Sequence, residues 1–205
     1  QAGDNVADIF GGSGYYSEIL SNIVGPEGKV YLHNNAPYLK FVGSALTDRL
    51  ARFNAPQMID NRAETDDLKL PADSLYAAMI VMSYHDIYLT DISNGWTLID
   101  GKNFLGQIHH ALKVGGRFLI VDHEAKPGTG KSMAQNLHRI ESSFAIADIE
   151  SHGFKLTGES DVLRNPDDDL SVMVFDPAIR GKTDRFILVF EKVAAPEAPS
   201  LSVTQ

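Results

Sequence analysis

A glycine-rich turn near the start of the chain is the sequence feature that most constrains its fold. The short apolar run 6–10 leads directly into Gly11-Gly12-Ser13-Gly14, and apolar residues at helical spacing follow over 15–24. This order predicts a strand, a tight turn and the start of a helix. In such turns glycine lets the backbone approach a bound ligand closely. The rest of the chain is expected to supply the sheet that the turn needs.

Apolar segments typical of buried strands alternate with segments of helical periodicity along the rest of the chain. The predicted strands cover 6–10, 29–33, 57–61, 74–83, 117–121, 154–163 and 185–192, and the predicted helices cover 15–24, 38–53, 102–112 and 134–152. This alternation predicts an α/β fold: a doubly wound, Rossmann-like, mostly parallel seven-stranded sheet with an antiparallel last strand and helices on both faces.

The length of the chain fits a single domain, which we expect over 1–193. A long charged segment, 164–184, separates the last two predicted strands. Two interpretations of this segment stay open: a solvated loop, or a lid held over the site by a network of ion pairs. The Pro- and Ala-rich tail, 194–205, is expected to be disordered.

Composition excludes several classes of function. The net charge of −9 provides no basic field for a phosphate backbone, so we expect no nucleic-acid partner. No apolar run is long enough to span a bilayer, and we expect no membrane partner. The absence of Cys removes disulfides and thiolate catalysis. Since a helix normally precedes a first strand of this kind, we expect a missing upstream segment and a soluble protein, cytoplasmic or exported to the periplasm.

The glycine turn is compatible with two cofactors. A dinucleotide site needs a small residue where this chain has Ser17, and an acidic ribose ligand where the second strand ends in Asn34. An S-adenosylmethionine site has an acidic residue followed by a glycine turn, which Asp8, Gly12 and Gly14 match. The sequence therefore favours S-adenosylmethionine, while a sharp turn without any ligand stays open.

Three runs carry a specific resemblance: 8–14, 25–30 and 111–117, the last containing Leu112-Lys113-Val114-Gly115-Gly116. Together they resemble the class I S-adenosylmethionine-dependent methyltransferases. Runs in the last third of the chain, at 122–125, 138–140, 163–168 and 180–186, are similar to a little-characterised bacterial subgroup of predicted methyltransferases. The resemblance covers about 5–192. It implies S-adenosylmethionine as cofactor and a small-molecule methyl acceptor as partner.

The resemblance also assigns cofactor-binding residues. It implies that Asp8 and the turn residues hold the methionine end of the cofactor, that Asn34 holds the ribose, and that two residues after the third strand lie beside the adenine. The full set is Asp8, Gly11, Gly12, Gly14, Asn34, Ala63 and Glu64. Two positions depart from the family's pattern, because Phe10 stands where glycine is usual and Asn34 where an acid is usual.

Acid–histidine pairs follow two of the predicted central strands. His85-Asp86 follows one strand and Asp122-His123 follows another, at the sheet edge where ligands bind. His85, His123 and Asp86 are therefore the predicted catalytic residues, acting as a general base or a substrate anchor. The alternative is a strand end whose polar groups are satisfied structurally. Asp122, His123 and His138 have ligand chemistry, but no short-spacing pair supports a metal, and none is predicted.

These observations favour a methyltransferase that carries a methyl group from S-adenosylmethionine to a small molecule. Two alternatives stay open at this point. Phe10 and Asn34 motivate a degenerate domain that binds S-adenosylmethionine without turnover. The glycine turn alone also allows an NAD(P)-binding oxidoreductase.

Overall fold

One seven-stranded sheet organises the residues that the structure, a computed structural model, describes: 1–53 and 55–194. The strands are β1 (Asn5–Ile9), β2 (Lys29–Asn34), β3 (Met58–Arg62), β4 (Leu75–Val81), β5 (Leu112–His123), β6 (Phe154–Ser160) and β7 (Arg185–Lys192). Their spatial order is β3-β2-β1-β4-β5-β7-β6. The central strands pair in parallel, and β7 runs antiparallel to both of its neighbours. The predicted fold class is confirmed.

Within the described ranges, six α-helices connect the strands, together with two short 3-10 helices at His85–Tyr88 and Ile92–Asn94. The α-helices are α1 (Tyr15–Val24), α2 (Ala36–Val42), α3 (Ser44–Arg52), α4 (Gly101–Ala111), α5 (Ala134–Leu137) and α6 (Ser142–Glu150). Among the residues that the structure describes, none of these helices combines the length and the apolar character that crossing a membrane requires.

Successive residues of each strand point to opposite sides of the sheet, and helices pack on both sides. On one face, Val6 of β1 and Val30 of β2 pack against Val24 of α1. On the other face, Ala78 of β4 and Phe118 of β5 belong to the main buried cluster, which α4 and α6 also join. The carboxyl ends of β1, β4 and β5 therefore meet at one edge between two helical layers.

Two predicted helices were wrong in their extent. The helix predicted over 38–53 is divided by Gly43, whose φ of 55° and ψ of −132° end α2 before α3 begins. The helix predicted over 134–152 ends at Leu137, where His138 adopts the left-handed conformation. Ile140 then donates its N–H to His123 O at 3.0 Å. The backbone around Ile140 therefore pairs with the end of β5 and does not continue the helix.

Strand bounds also differ from the prediction. β5 begins at Leu112, before the predicted 117–121, and β6 ends at Ser160 rather than at 163. The tail predicted to be disordered lies outside the described residues beyond Ala194.

Ion pairs, one of them fully buried, tie the charged segment 164–184 to the residues that follow β5. Arg139 donates two hydrogen bonds to Asp168, at 2.9 and 3.1 Å, and both side chains are fully buried. Arg164 pairs with Glu124 at 3.0 Å and with Asp184 at 2.9 Å. The segment therefore contains a network of ion pairs; its role as a lid over the site stays a prediction.

Candidate active site

The glycine turn after β1 requires glycine for two different reasons. Gly12 and Gly14 have φ values of 58° and 81°, in the left-handed region that favours glycine. At Gly11 the constraint is space, because a Cβ there would lie 2.5 Å from Leu32 Cδ1 and 2.7 Å from Asp8 Oδ2. The backbone can therefore pass close to β2 before it enters α1.

Asp8 lies beneath this turn and is almost fully buried. Its carboxylate accepts a hydrogen bond from Ser17 Oγ at 2.7 Å, which ties the end of β1 to the first turns of α1. Burial raises the pKa of Asp8 to about 6, although the hydrogen bond from Ser17 opposes the shift. The predicted cofactor ligand Asp8 thus supports the turn from its inner side.

Asn34, at the end of β2, holds the turn from the other side. Its Oδ1 accepts the Gly12 N–H at 2.9 Å, and its Nδ2 donates to Gly12 O at 2.9 Å. The side chain is fully buried, so both halves of the amide are used by the protein itself. Asn34 therefore acts first as a support of the glycine turn, with one lone pair of Oδ1 and one N–H of Nδ2 bonded to Gly12.

Ala63 and Glu64 lie next to Asn34, after β3. Ala63 N donates to Asn34 O at 3.2 Å, and Glu64 accepts the Ala36 N–H at 3.2 Å, at the start of α2. The structure therefore brings together the predicted cofactor residues from β1, β2 and β3 around the glycine turn.

A cavity of about 850 Å³ opens beyond the carboxyl ends of β1 and β4, and its wall includes neither the glycines of the turn nor the other predicted cofactor-binding residues. Phe10 joins the two features, since it lines the cavity and directly precedes Gly11. The Phe10 ring stacks on Tyr38 and on Phe104, with ring centroids 4.6 and 5.3 Å apart. The cavity is strongly aromatic, with five such side chains in its wall: Phe10, Tyr38, Phe41, Trp96 and Phe175.

The polar part of the cavity wall is a cluster around His85, in the 3-10 helix after β4. Asp122, at the end of β5, accepts from His85 Nδ1 at 2.9 Å. On the cavity side, His85 Nε2 lies 3.2 Å from Asp86 Oδ1 and 3.2 Å from His138 Nδ1. The other oxygen of Asp86 accepts a hydrogen bond from the Tyr38 hydroxyl. Two predicted catalytic residues, His85 and Asp86, thus line the cavity.

The charges in this cluster shift the pKa values of His85 and His138 in opposite directions. Burial alone would lower the pKa of His85, but Asp122 and Asp86 outweigh it and raise that pKa to about 9. The pKa of His138 is lowered, first by burial and then by the positive charge of His85. Near neutral pH and in the absence of a bound ligand, His85 is a hydrogen-bond donor and His138 is the uncharged imidazole.

His123, the third predicted catalytic residue, has different surroundings. Its Nδ1 lies 2.7 Å from Thr183 Oγ1, its ring centroid is 6.1 Å from that of His85, and it is buried. Burial lowers the pKa of His123 to about 4, despite the opposing charge of Asp122. His123 therefore lies behind His85, away from the cavity wall.

Sequence reasoning missed the residues that complete the cavity. His138 had been grouped with Asp122 and His123, on a helix that the structure does not contain there, whereas it approaches His85 and Asp86. Phe175 packs edge-on against His138, with ring centroids 5.0 Å apart, and brings the segment 164–184 onto the cavity. Position 175 lay in no motif. His138 lay in the run 138–140, but only a correct break of the predicted helix there would have indicated that it joins His85 and Asp86.

By sequence, no model of a protein family and no curated protein matches this chain. Solved structures do. A methyltransferase from Aquifex aeolicus that depends on S-adenosylmethionine is similar over 94% of this chain and 84% of its own, with a TM-score of 0.66 and 15% identity. A second such enzyme, from Mesorhizobium loti, is similar over 93% of this chain and 91% of its own, with a TM-score of 0.61 and 14% identity. The chain has the fold of the S-adenosylmethionine-dependent methyltransferases.

The same fold also occurs in a protein with a different reaction in its name. The [4+2]-cyclase SpnF is similar over 95% of this chain and 76% of its own, with a TM-score of 0.67 and 11% identity. The dinucleotide alternative loses support, because β7 lies antiparallel between β5 and β6, unlike the 3-2-1-4-5-6 order of dinucleotide folds. Function must therefore be argued from the site.

Proposed function

We propose that this protein is an S-adenosylmethionine-dependent methyltransferase that acts on a small-molecule acceptor. The observation that carries the proposal is the aromatic cavity of about 850 Å³, which adjoins the glycine turn and contains a titratable cluster. A cavity of this size holds a ligand of drug-like dimensions, and its place beyond the strand ends is where open α/β sheets bind ligands.

The residues present suit a cofactor that carries a positive sulfonium group. Aromatic faces attract cations, and Tyr38, Trp96 and Phe175 supply them next to the carboxylate of Asp86. The adenine ring can stack on the same surfaces. When bound, S-adenosylmethionine would supply an activated methyl group; Gly11, Gly12, Gly14 and Asp8 would hold its methionine end, with Asn34, Ala63 and Glu64 near the adenosine.

The acceptor is proposed to lie against His85, Asp86 and His138. Methyl transfer to oxygen or nitrogen needs in-line positioning of the nucleophile and removal of its proton. The cluster supplies a hydrogen-bond donor at His85 and an uncharged imidazole at His138. Phe175, in the segment 164–184, lines the cavity beside His138. This segment is proposed to shield the reacting groups from water. His123 is proposed to act through His85, by way of Asp122.

Isothermal titration with S-adenosylmethionine and with its demethylated product tests the cofactor. We expect one site per chain for both compounds. The control is Glu27→Gln, which alters an exposed residue in the turn between α1 and β2, outside the cavity, and should leave binding unchanged. If neither compound gives heat or raises Tm, the proposal is wrong; stabilisation by NAD(H) or NADP(H) instead would support the oxidoreductase.

Turnover is tested separately, with radiolabelled S-adenosylmethionine and a panel of small hydroxyl, amine and thiol acceptors. For any acceptor found, His138→Asn is expected to lower kcat by about 100-fold or more, because the residue at the reacting centre is removed. Binding of the cofactor should persist in that variant. Cofactor binding without methylation of any acceptor would show a ligand-binding domain in place of an enzyme.

A further inference from the structure

Three metal-ligating atoms converge at the wall of the cavity. The distances are 3.2 Å from His85 Nε2 to Asp86 Oδ1, 3.2 Å from His85 Nε2 to His138 Nδ1, and 3.8 Å from His138 Nδ1 to Asp86 Oδ1. Ligand atoms about 2.1 Å from a tetrahedral ion lie about 3.4 Å from one another. The triangle formed by these three atoms is therefore the size that a small divalent cation requires.

Two of the three ligands are oriented by hydrogen bonds on their far sides. Asp122 accepts from His85 Nδ1 at 2.9 Å, which leaves Nε2 directed at the other two ligands. The Tyr38 hydroxyl donates to one oxygen of Asp86 and leaves the other oxygen facing the histidines. A carboxylate behind a histidine and a donor behind a carboxylate are the supports that metal ligands have in proteins.

The third ligand, His138, has a strained backbone conformation that its neighbours maintain. His138 has a φ of 54°, in the left-handed region that a non-glycine residue adopts only at a cost in free energy. The conformation is maintained from the next residue, since Arg139 is fully buried and forms its ion pair with Asp168. Met82, which directly follows β4 and precedes the cluster, also has a positive φ, of 60°. Both strained residues line the cavity.

We propose that His85, Asp86 and His138 bind one divalent transition-metal ion, of which Zn²⁺ is the test case. Two imidazoles and one carboxylate are the protein ligands of many catalytic zinc sites, and the same set binds non-haem Fe²⁺. Three protein ligands leave positions open, and these face the cavity, where water or the oxygen or nitrogen of an entering compound can coordinate. Metal binding would use the same three side chains that the proposed methyl transfer places against the acceptor, and it is tested without any acceptor or cofactor.

The experiment uses the chain without a histidine tag, stripped with a chelator and titrated with Zn²⁺ by calorimetry. One Zn²⁺ per chain is expected, and excess Mg²⁺ should not compete, because two imidazole ligands disfavour a hard ion. Co²⁺ substitution should give the visible absorption of a low-coordinate, nitrogen-ligated ion. This spectrum reports the ligand set whether or not any methyl acceptor is known.

Two variants and one control connect the ion to these residues. His138→Asn keeps a residue that tolerates the left-handed conformation but removes the imidazole, and should weaken Zn²⁺ binding by about 100-fold or more. Asp122→Asn removes the carboxylate that supports His85 and should weaken Zn²⁺ binding by about 10–100-fold. His110→Asn, on the exposed side of α4, should change nothing.

The proposal is overturned if the stripped protein binds no Zn²⁺. It is equally overturned if His138→Asn binds Zn²⁺ as the unaltered chain does while circular dichroism shows that it is folded. Loss of binding in His110→Asn with retention in His138→Asn would place the ion on α4 instead.

Discussion

At the scale of single residues, three of the six non-glycine residues with positive φ in the described part of the chain line the cavity. Phe10, Met82 and His138 are non-glycine residues with φ values of 55°, 60° and 54°, and all three line it. Each conformation costs free energy that the surrounding structure must offset, and such positions concentrate at functional sites. The sequence identified Phe10 as a departure from glycine; the structure shows what the change brings, namely a ring stacked on Tyr38 and Phe104 at the cavity wall.

Asp8 gives a prediction about stability and pH. Its pKa, raised to about 6 by burial, means that the folded protein keeps this proton at pH values where the unfolded chain has lost it. This bound proton stabilises the folded protein at acid pH. The stabilisation is lost as the pH rises through 6, where Asp8 loses its proton in the folded protein as well. Relative to Asp8→Asn, the unaltered chain should lose about 2 kcal/mol of unfolding free energy between about pH 4.5 and about pH 7.5.

Urea unfolding of both proteins at each pH measures this difference, and titrations shared by the two chains cancel. The asparagine retains an acceptor for Ser17 Oγ, so the comparison isolates the ionisable proton. A difference in unfolding free energy that does not change with pH would contradict the prediction.

At the scale of elements, periodicity located the elements but not their ends. The sheet and its order of strands and helices followed from apolar patterns, because each element has to bury a face. The break at His138 could not be read in this way, since residues on both sides keep helical spacing. It arises because Ile140 pairs with the end of β5, a contact that depends on the whole fold. The candidate site was incomplete for the same reason.

The buried ion pair between Arg139 and Asp168 gives the prediction at this scale. Asp168→Asn removes the negative charge and leaves the fully buried guanidinium uncompensated, which should cost about 3–5 kcal/mol. Hydrogen exchange should rise first in 164–184, because that segment depends on the pair. Asp60→Asn is the matched control: its partner Arg62 has 56% of its side chain exposed, and the change should be small. Equal effects of the two substitutions would refute the prediction.

At the scale of the whole molecule, parallel topology explains which parts of the site were predictable. β4 and β5 are parallel neighbours, so His85 and Asp122, at the ends of the two strands, had to lie close together. No such rule applies to the segments after β5 and between β6 and β7, which bring His138 and Phe175 to the cavity. The depth of the cavity likewise depends on side-chain packing that no motif encodes.

Lys192 closes the fold at the opposite edge of the sheet. Its Nζ, at the end of β7, donates to Leu112 O at 2.7 Å and pairs with Asp73 at 2.8 Å. Lys192→Met should lower the unfolding free energy by about 1–3 kcal/mol, because the buried Leu112 carbonyl loses its donor. Asp73→Asn, which alters only the exposed partner, should have little effect. Calorimetric and circular-dichroism melting curves measure both; a larger loss in Asp73→Asn would contradict this account.

Trp96 is the only tryptophan in the chain, and it lies in the cavity wall, edge-on to Tyr38 with ring centroids 4.9 Å apart. All indole emission from this protein therefore comes from one place, the proposed binding site. A compound that stacks there, or a paramagnetic ion bound at the nearby histidines, should quench or shift that emission without any label. The chain thus contains its own optical reporter, with which unknown acceptors can be screened by fluorescence.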